Sequence, residues 1–123
     1  MDIGQVVLNI LYMPSTFKEL GNVSMIDLIK QSGYVEMHDQ ISKRMIKDAL
    51  QLHKECINDW IIYSEDQRSD KKWYIKDGNP GKYIVGYFAI KGERFELPEF
   101  ENVVDACAEF IMKEIEILRS YCR

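Results

Sequence analysis

The sequence predicts a single α+β domain over residues 1–123: N-terminal helices, an antiparallel meander sheet of three or four strands, and a long C-terminal helix packed on the sheet. Three observations predict it. Strand-like segments at 72–76, 82–90 and 94–97 are separated by turn clusters. Val103, Val104, Cys107, Phe110, Ile111, Glu114, Ile115 and Leu118 then follow the 3.6 period of an amphipathic helix. Before residue 65 the apolar stripes have helical spacing. The length of 123 residues and a hydrophobic content of 46% suit one domain, and no repeat, low-complexity stretch or long linker divides the chain.

Residues 4–12 form an almost unbroken apolar run, including Val6, Val7, Leu8, Ile10 and Leu11, that stops at Pro14. A short buried helix or a strand satisfies it; we read a helix, with pairing to the sheet as the alternative. A further helical turn is expected over 15–20, capped by Ser15 or Thr16 and ended by Gly21. Ser24 heads a helix over 25–31, with Asp27 at its third position and Gly33 where a left-handed residue closes the end. The next helix starts near Ser42, turns Met45, Ile46, Ala49 and Leu50 inward and keeps Lys43, Arg44, Lys47 and Asp48 outside. Cys56, Ile57, Trp60, Ile61 and Ser64 are the inward stripe of a helix over 54–63, either continuous with the previous one or broken near 51–54, where no Pro or Gly marks a boundary. Residues 65–72 read as a solvated connection of mixed charge.

Asp77-Gly78-Asn79-Pro80-Gly81 is a turn cluster that implies a hairpin, and Lys91-Gly92-Glu93 is a second turn. Within 82–90, Tyr83, Val85, Tyr87 and Ala89 alternate with Ile84, Gly86, Phe88 and Ile90. Both sides are apolar, so this segment is expected at the centre of the sheet. The C-terminal helix covers one face; the other has to be covered by the N-terminal half or by another molecule. Gly86 inside a strand marks a bulge or a close approach. Pro98 ends the third strand, Phe100 is expected beneath the start of the helix, and Asn102 with Asp105 forms a capping-box pattern.

The formal charge of −4 argues against a non-specific nucleic-acid binder, and no RNP signature surrounds the strand aromatics. Cys56, Cys107 and Cys122 are an odd set without metal-ligand spacing, which points to a reducing, cytoplasmic setting, with Cys107 a small buried hydrophobe. Residues 1–13 lack a basic leader and a cleavage site and are too short to span a bilayer, so no targeting or membrane segment is expected. His38, beside Glu36 and Asp39, reads as a solvated loop residue, and His53 as a helix-surface or junction residue. With no H-E-x-x-H, no G-x-S-x-G and no phosphate loop, no enzyme, metal or cofactor is expected.

Asp59-Trp60-Ile61-Ile62-Tyr63-Ser64-Glu65-Asp66, then Lys72-Trp73-Tyr74-Ile75, then Tyr83-Ile84-Val85-Gly86-Tyr87, then Phe100 and Asp105-Ala106-Cys107-Ala108-Glu109-Phe110-Ile111 make a pattern. Over roughly the second half of the chain it resembles small bacterial immunity proteins of polymorphic and contact-dependent toxin systems. The resemblance implies a stoichiometric inhibitor that binds a cognate protein toxin and blocks its active site or a functional surface. These families share no single contact motif, so it carries over no contact residue. From the residues themselves we expect Glu65, Asp66, Glu93, Glu96 and Glu99 to offer carboxylates to a basic toxin, a nuclease being one candidate. Tyr74 and Tyr87 are the expected exposed aromatic anchors. The alternative is a small-ligand-binding or regulatory module with a pocket between sheet and helices, acting as a homodimer through the sheet edge.

Overall fold

The structure, a computed structural model, describes residues 2–66, 71–89 and 92–122, and for Asp66 and Lys71 the backbone alone. Of the connection expected at 65–72, residues 65–66 belong to a helix and 71–72 to a strand, while 67–70, like Ile90 and Lys91, lie outside the described residues. The order is α1 (Ile3–Leu11), α2 (Met13–Leu20), α3 (Met25–Ser32), α4 (Tyr34–Met37), a 3₁₀ turn (His38–Gln40), α5 (Lys43–Leu52), α6 (Glu55–Asp66), β1 (Lys71–Asp77), β2 (Tyr83–Ala89), β3 (Arg94–Glu96) and α7 (Val103–Ser120). The three strands form one antiparallel sheet, β1-β2-β3, with β2 central. The α+β meander with a long C-terminal helix is therefore present, with three strands; the N-terminal run is a helix and takes no place in the sheet.

Local chemistry explains most helix ends. Ser24 Oγ accepts from the Asp27 amide at 3.0 Å while the Asp27 carboxylate accepts from the Ser24 amide at 3.2 Å, so two orphan donors are satisfied reciprocally. Ser42 Oγ accepts from the Met45 amide. Asn102 Oδ1 caps α7 through the Asp105 amide at 2.9 Å, but the Asp105 carboxylate answers to the Asn102 side-chain amide at 3.1 Å, so this is a cap without the expected backbone reciprocity. Neither Ser15 nor Thr16 caps α2: that helix starts at Met13, because Pro14 in its first turn lacks the N–H that a cap would satisfy. α5 and α6 are separate. His53 leaves helical geometry (φ −130°, ψ 62°), and its carbonyl accepts from the Cys56 amide at 3.0 Å to start α6. His38, expected in a loop, heads the 3₁₀ turn with Nδ1 3.0 Å from the Val35 carbonyl oxygen.

The element that decides the architecture is α7. Ala106, Cys107, Ala108, Phe110, Ile111, Glu114, Ile115 and Leu118 are all buried. At 3.6 residues per turn these positions sweep about 200° of the helix surface, too much for one sheet face to cover. α7 lies against β1 and β2 and also against α3, α5 and α6. α3, α5 and α6 thus pack on α7, and α1 and α2 pack on those helices; apart from α7, the principal helix contact with the sheet is α6 against β1. There Ser64 Oγ accepts from the Ile75 amide at 3.1 Å. Trp60 joins the halves: fully buried, it sets its edge against Phe110, and its indole N–H donates to the Leu11 carbonyl at 3.0 Å, satisfying one of the last carbonyls of α1. The Phe100 backbone bridges to Tyr83 at the end of the sheet, and its side chain packs against the core with Lys43 Nζ 5.1 Å from the ring centre.

Ala108 sits at zero exposure on α7, so Ala108→Leu overpacks this junction and is expected to cost about 1–3 kcal/mol in urea unfolding. Leu52→Ala, at 82% exposed, is the control and is expected to stay within about 0.5 kcal/mol of the wild type.

Candidate protein-contact surface

Strand register sorts the sheet into two faces. Trp73, Tyr87 and Phe95 stand in one row and Ile75 with Val85 in the next; this is the inner face, on which Ile75 and Val85 are buried and Lys113 of α7 lies 5.3 Å from the Trp73 ring centre. The outer face carries the rows Lys72–Phe88–Arg94, Tyr74–Gly86–Glu96 and Lys76–Ile84. Tyr74, Ile84 and Phe88 take no part in the hydrophobic core. Among the described residues no helix or strand lies across this face.

Its middle row is tightly built. Tyr74 on β1 reaches across Gly86 on β2, and its hydroxyl donates to Glu96 Oε2 on β3 at 2.9 Å. Lys76 Nζ pairs with the same oxygen at 3.2 Å and stands 5.7 Å from the Tyr74 ring centre. A Cβ added to Gly86 would collide with the hydroxyl end of Tyr74 and come within 3.0 Å of the Phe95 carbonyl oxygen. The close approach expected at Gly86 is therefore real, and a neighbouring side chain of the same sheet makes it. The Tyr74 bond is the first cause holding the Glu96 carboxyl below its ordinary value, with Lys76 second, while burial and then Glu96 push the Tyr74 hydroxyl up. Beside this row, Glu65 and Ser64 at the end of α6 complete a shallow groove of about 360 Å³ with Lys72, Lys76, Phe88 and Arg94.

The expected contact residues divide. Tyr74, Glu96 and Glu65 come together on the outer face; Tyr74 is half-buried where an exposed ring was expected, and Glu65 is exposed at the rim. Tyr87 is also half-buried and lies on the opposite face, packed on Trp73 and Phe95 at ring distances of 5.4 and 5.6 Å. Glu93 is exposed at the β2–β3 turn. Glu99 sits at the other end of the sheet, where it accepts from the Asn79 backbone and side-chain amides at 3.0 and 2.9 Å. Asp66 ends α6, and its side chain lies outside the described residues. The 93–101 segment does not form an acidic patch, because Lys76 pairs with Glu96, Lys82 with Glu101, and Glu99 is engaged by the turn. The residues missed in the sequence are Phe88 and the cations Lys72, Lys76 and Arg94. Their signal was the alternation of Lys72, Tyr74 and Lys76 with Trp73 and Ile75, which marks the outward side of β1 as amphipathic.

The same Tyr-to-Glu bond recurs elsewhere. Tyr12 donates to Glu55 at 2.7 Å with His53 Nδ1 3.1 Å from the hydroxyl, Tyr34 donates to Glu116, and half-buried Tyr63 donates to buried Glu114. These bonds join the α1–α2 junction to α6, α4 to α7 and α6 to α7. Burial raises the thiols of Cys56 and Cys107 to about 11 and about 12, values unsuited to nucleophiles near neutrality. Among the described residues no group of His, Cys, Asp and Glu is arranged to hold a metal, and no helix is long and apolar enough to cross a membrane.

Comparison with protein-family models, with curated proteins and with solved structures finds no match to this chain.

Gly86→Ala is expected to destabilise the sheet by about 1–3 kcal/mol, and part of that loss should vanish in a Tyr74→Ala background, since the colliding group is gone. A double-mutant cycle by urea unfolding reads the coupling; strict additivity would contradict the packing. Glu96 titrates low in the folded state, so its contribution is complete above the ordinary value of 4.5 and is lost as pH falls through the lowered folded value. Glu96→Gln should therefore flatten the acid limb of a plot of urea midpoint against pH.

Proposed function

We propose that the chain is a binding protein that neutralises a cognate bacterial toxin by occupying its active site or a functional surface, and that the outer face of the sheet is where the toxin docks. One observation carries the reading. The helices that were free to cover either the sheet or α7 pack on α7, which leaves Tyr74, Ile84 and Phe88 outside the core on a sheet face that no other element lies across among the described residues. Apolar and aromatic side chains ringed by charges are the make-up of a protein interface, with central rings contributing most of the energy and rim charges setting encounter rate and specificity. On this face the charges have both signs, Lys72, Lys76 and Arg94 against Glu65 and Glu96, so the toxin surface is one of mixed charge in place of the purely basic one expected from the sequence. Binding requires no reacting group, and Glu55, Glu96, Glu114 and Glu116 serve as hydrogen-bond acceptors between elements.

The test is titration of the purified chain into the product of the adjacent gene while that product's toxic activity is measured. The wild type should form a one-to-one complex and abolish the activity. Phe88→Glu, which lies outside the core, should remain folded and weaken binding roughly 30-fold or more, the ~2 kcal/mol of a central anchor. Absence of a complex removes the inhibitor reading, and full protection by Phe88→Glu removes the outer face as its site. A wild-type chain that is itself a dimer, made monomeric by Phe88→Glu, would assign the face to self-association.

A further inference from the structure

The helical layer holds a second surface feature of different chemistry. α1, α2 and α3 line an open cleft of about 420 Å³, a volume within the range of small-molecule sites, with Gln5 and Gln31 exposed at its mouth. Its apolar lining comes from Leu8, Met13 and Leu28, and its polar lining from amides and hydroxyls, chiefly Gln5, Asn9 and Gln31. Among the described residues no charged one lines it, in a chain whose charged content is 29% and whose other helix faces carry lysines, arginines and acids. One hydrogen bond within α1 orients Asn9, and a second ties α1 to α3. Asn9 Oδ1 accepts from Gln5 Nε2 at 2.8 Å, and Asn9 Nδ2 donates to the Ser32 carbonyl at 3.2 Å. Gln5 keeps its Oε1 and a second N–H, and Gln31 its whole carboxamide, so donor and acceptor stand side by side on two of the three helices.

We propose that this cleft binds a small uncharged molecule whose edge carries an N–H beside a C=O, the lactam edge of a nucleobase or a cyclic amide. A carboxamide pairs with such an edge through two parallel hydrogen bonds, the way Asn and Gln read adenine. The Leu8 and Leu28 side chains take the ring face. A neutral lining gives no compensation for a desolvated phosphate, carboxylate or ammonium, so charged ligands are disfavoured. The inference is independent of toxin binding.

The test uses the full chain, labelled with nitrogen-15, and three lactams of different size: uracil, 2-pyrrolidone and hypoxanthine. At least one should shift the side-chain amide signals of Gln5, Asn9 and Gln31 saturably. Gln31→Leu should weaken that binding tenfold or more while leaving the thermal midpoint unchanged, and Leu28→Trp should fill the cleft and abolish it. Uridine monophosphate should bind no more tightly than uracil. No saturable shift with any of the three lactams, shifts unaffected by Gln31→Leu in a chain shown to be folded, or tighter binding of the phosphate would each overturn the proposal.

Discussion

Everything in this molecule depends on burying one helix. α7 carries apolar side chains, small ones and a buried glutamate over more than half its circumference, and the sheet can take only part of that surface. The rest draws in α3, α5 and α6, with Trp60 tying them back to the end of α1. Because α7 occupies the middle, no helix among the described residues lies across the outer face of the sheet, and α6 meets only its β1 side. The open outer face follows from that arrangement, and so does the proposed contact surface.

Tyrosine hydroxyls bonded to glutamates secure the joints around this centre. Tyr34–Glu116, Tyr63–Glu114 and Tyr74–Glu96 each connect two different elements, and Tyr12, at the α1–α2 junction, reaches Glu55 on α6. This use of glutamate explains how a chain of formal charge −4 lacks the acidic patch its sequence suggested around 93–101. Glu96, Glu99 and Glu101 have local partners, Glu93 stands exposed at the β2–β3 turn, and the outer face has both signs of charge.

What could be read in advance was whatever is determined within a few residues. Ser24 with Asp27, Ser42, Asn102, Gly21 and Gly33 act through their immediate neighbours, and the helix ends they mark are where the spacing put them, whereas the start of α2 is not. The break at His53 was not legible, since no Pro or Gly marks it and the ring meets Tyr12, a residue far away in the chain. Nor was the choice made by the N-terminal helices, because α7 and the outer face both offered apolar surface. The site was half legible for a related reason. Tyr74 and Tyr87 both read as strand aromatics, but pairing of Asp77 with Tyr83 across the first turn sets Tyr74 opposite Gly86, and a shift of one residue would exchange the faces of a whole strand. Gly86 was noticed because glycine is out of place in a central strand; that its neighbour would be the Tyr74 ring depended on the same register.

The central claim is that α7 is enclosed between layers while the outer face of the sheet meets solvent. Relaxation of side-chain proton signals by a soluble gadolinium chelate reads that directly, residue by residue, in the isolated chain. Ile84 and Phe88 should be broadened strongly, and Val85, Ile75 and Ile111 should be protected. Protection of Ile84 and Phe88 to the level of Val85 would contradict the claim.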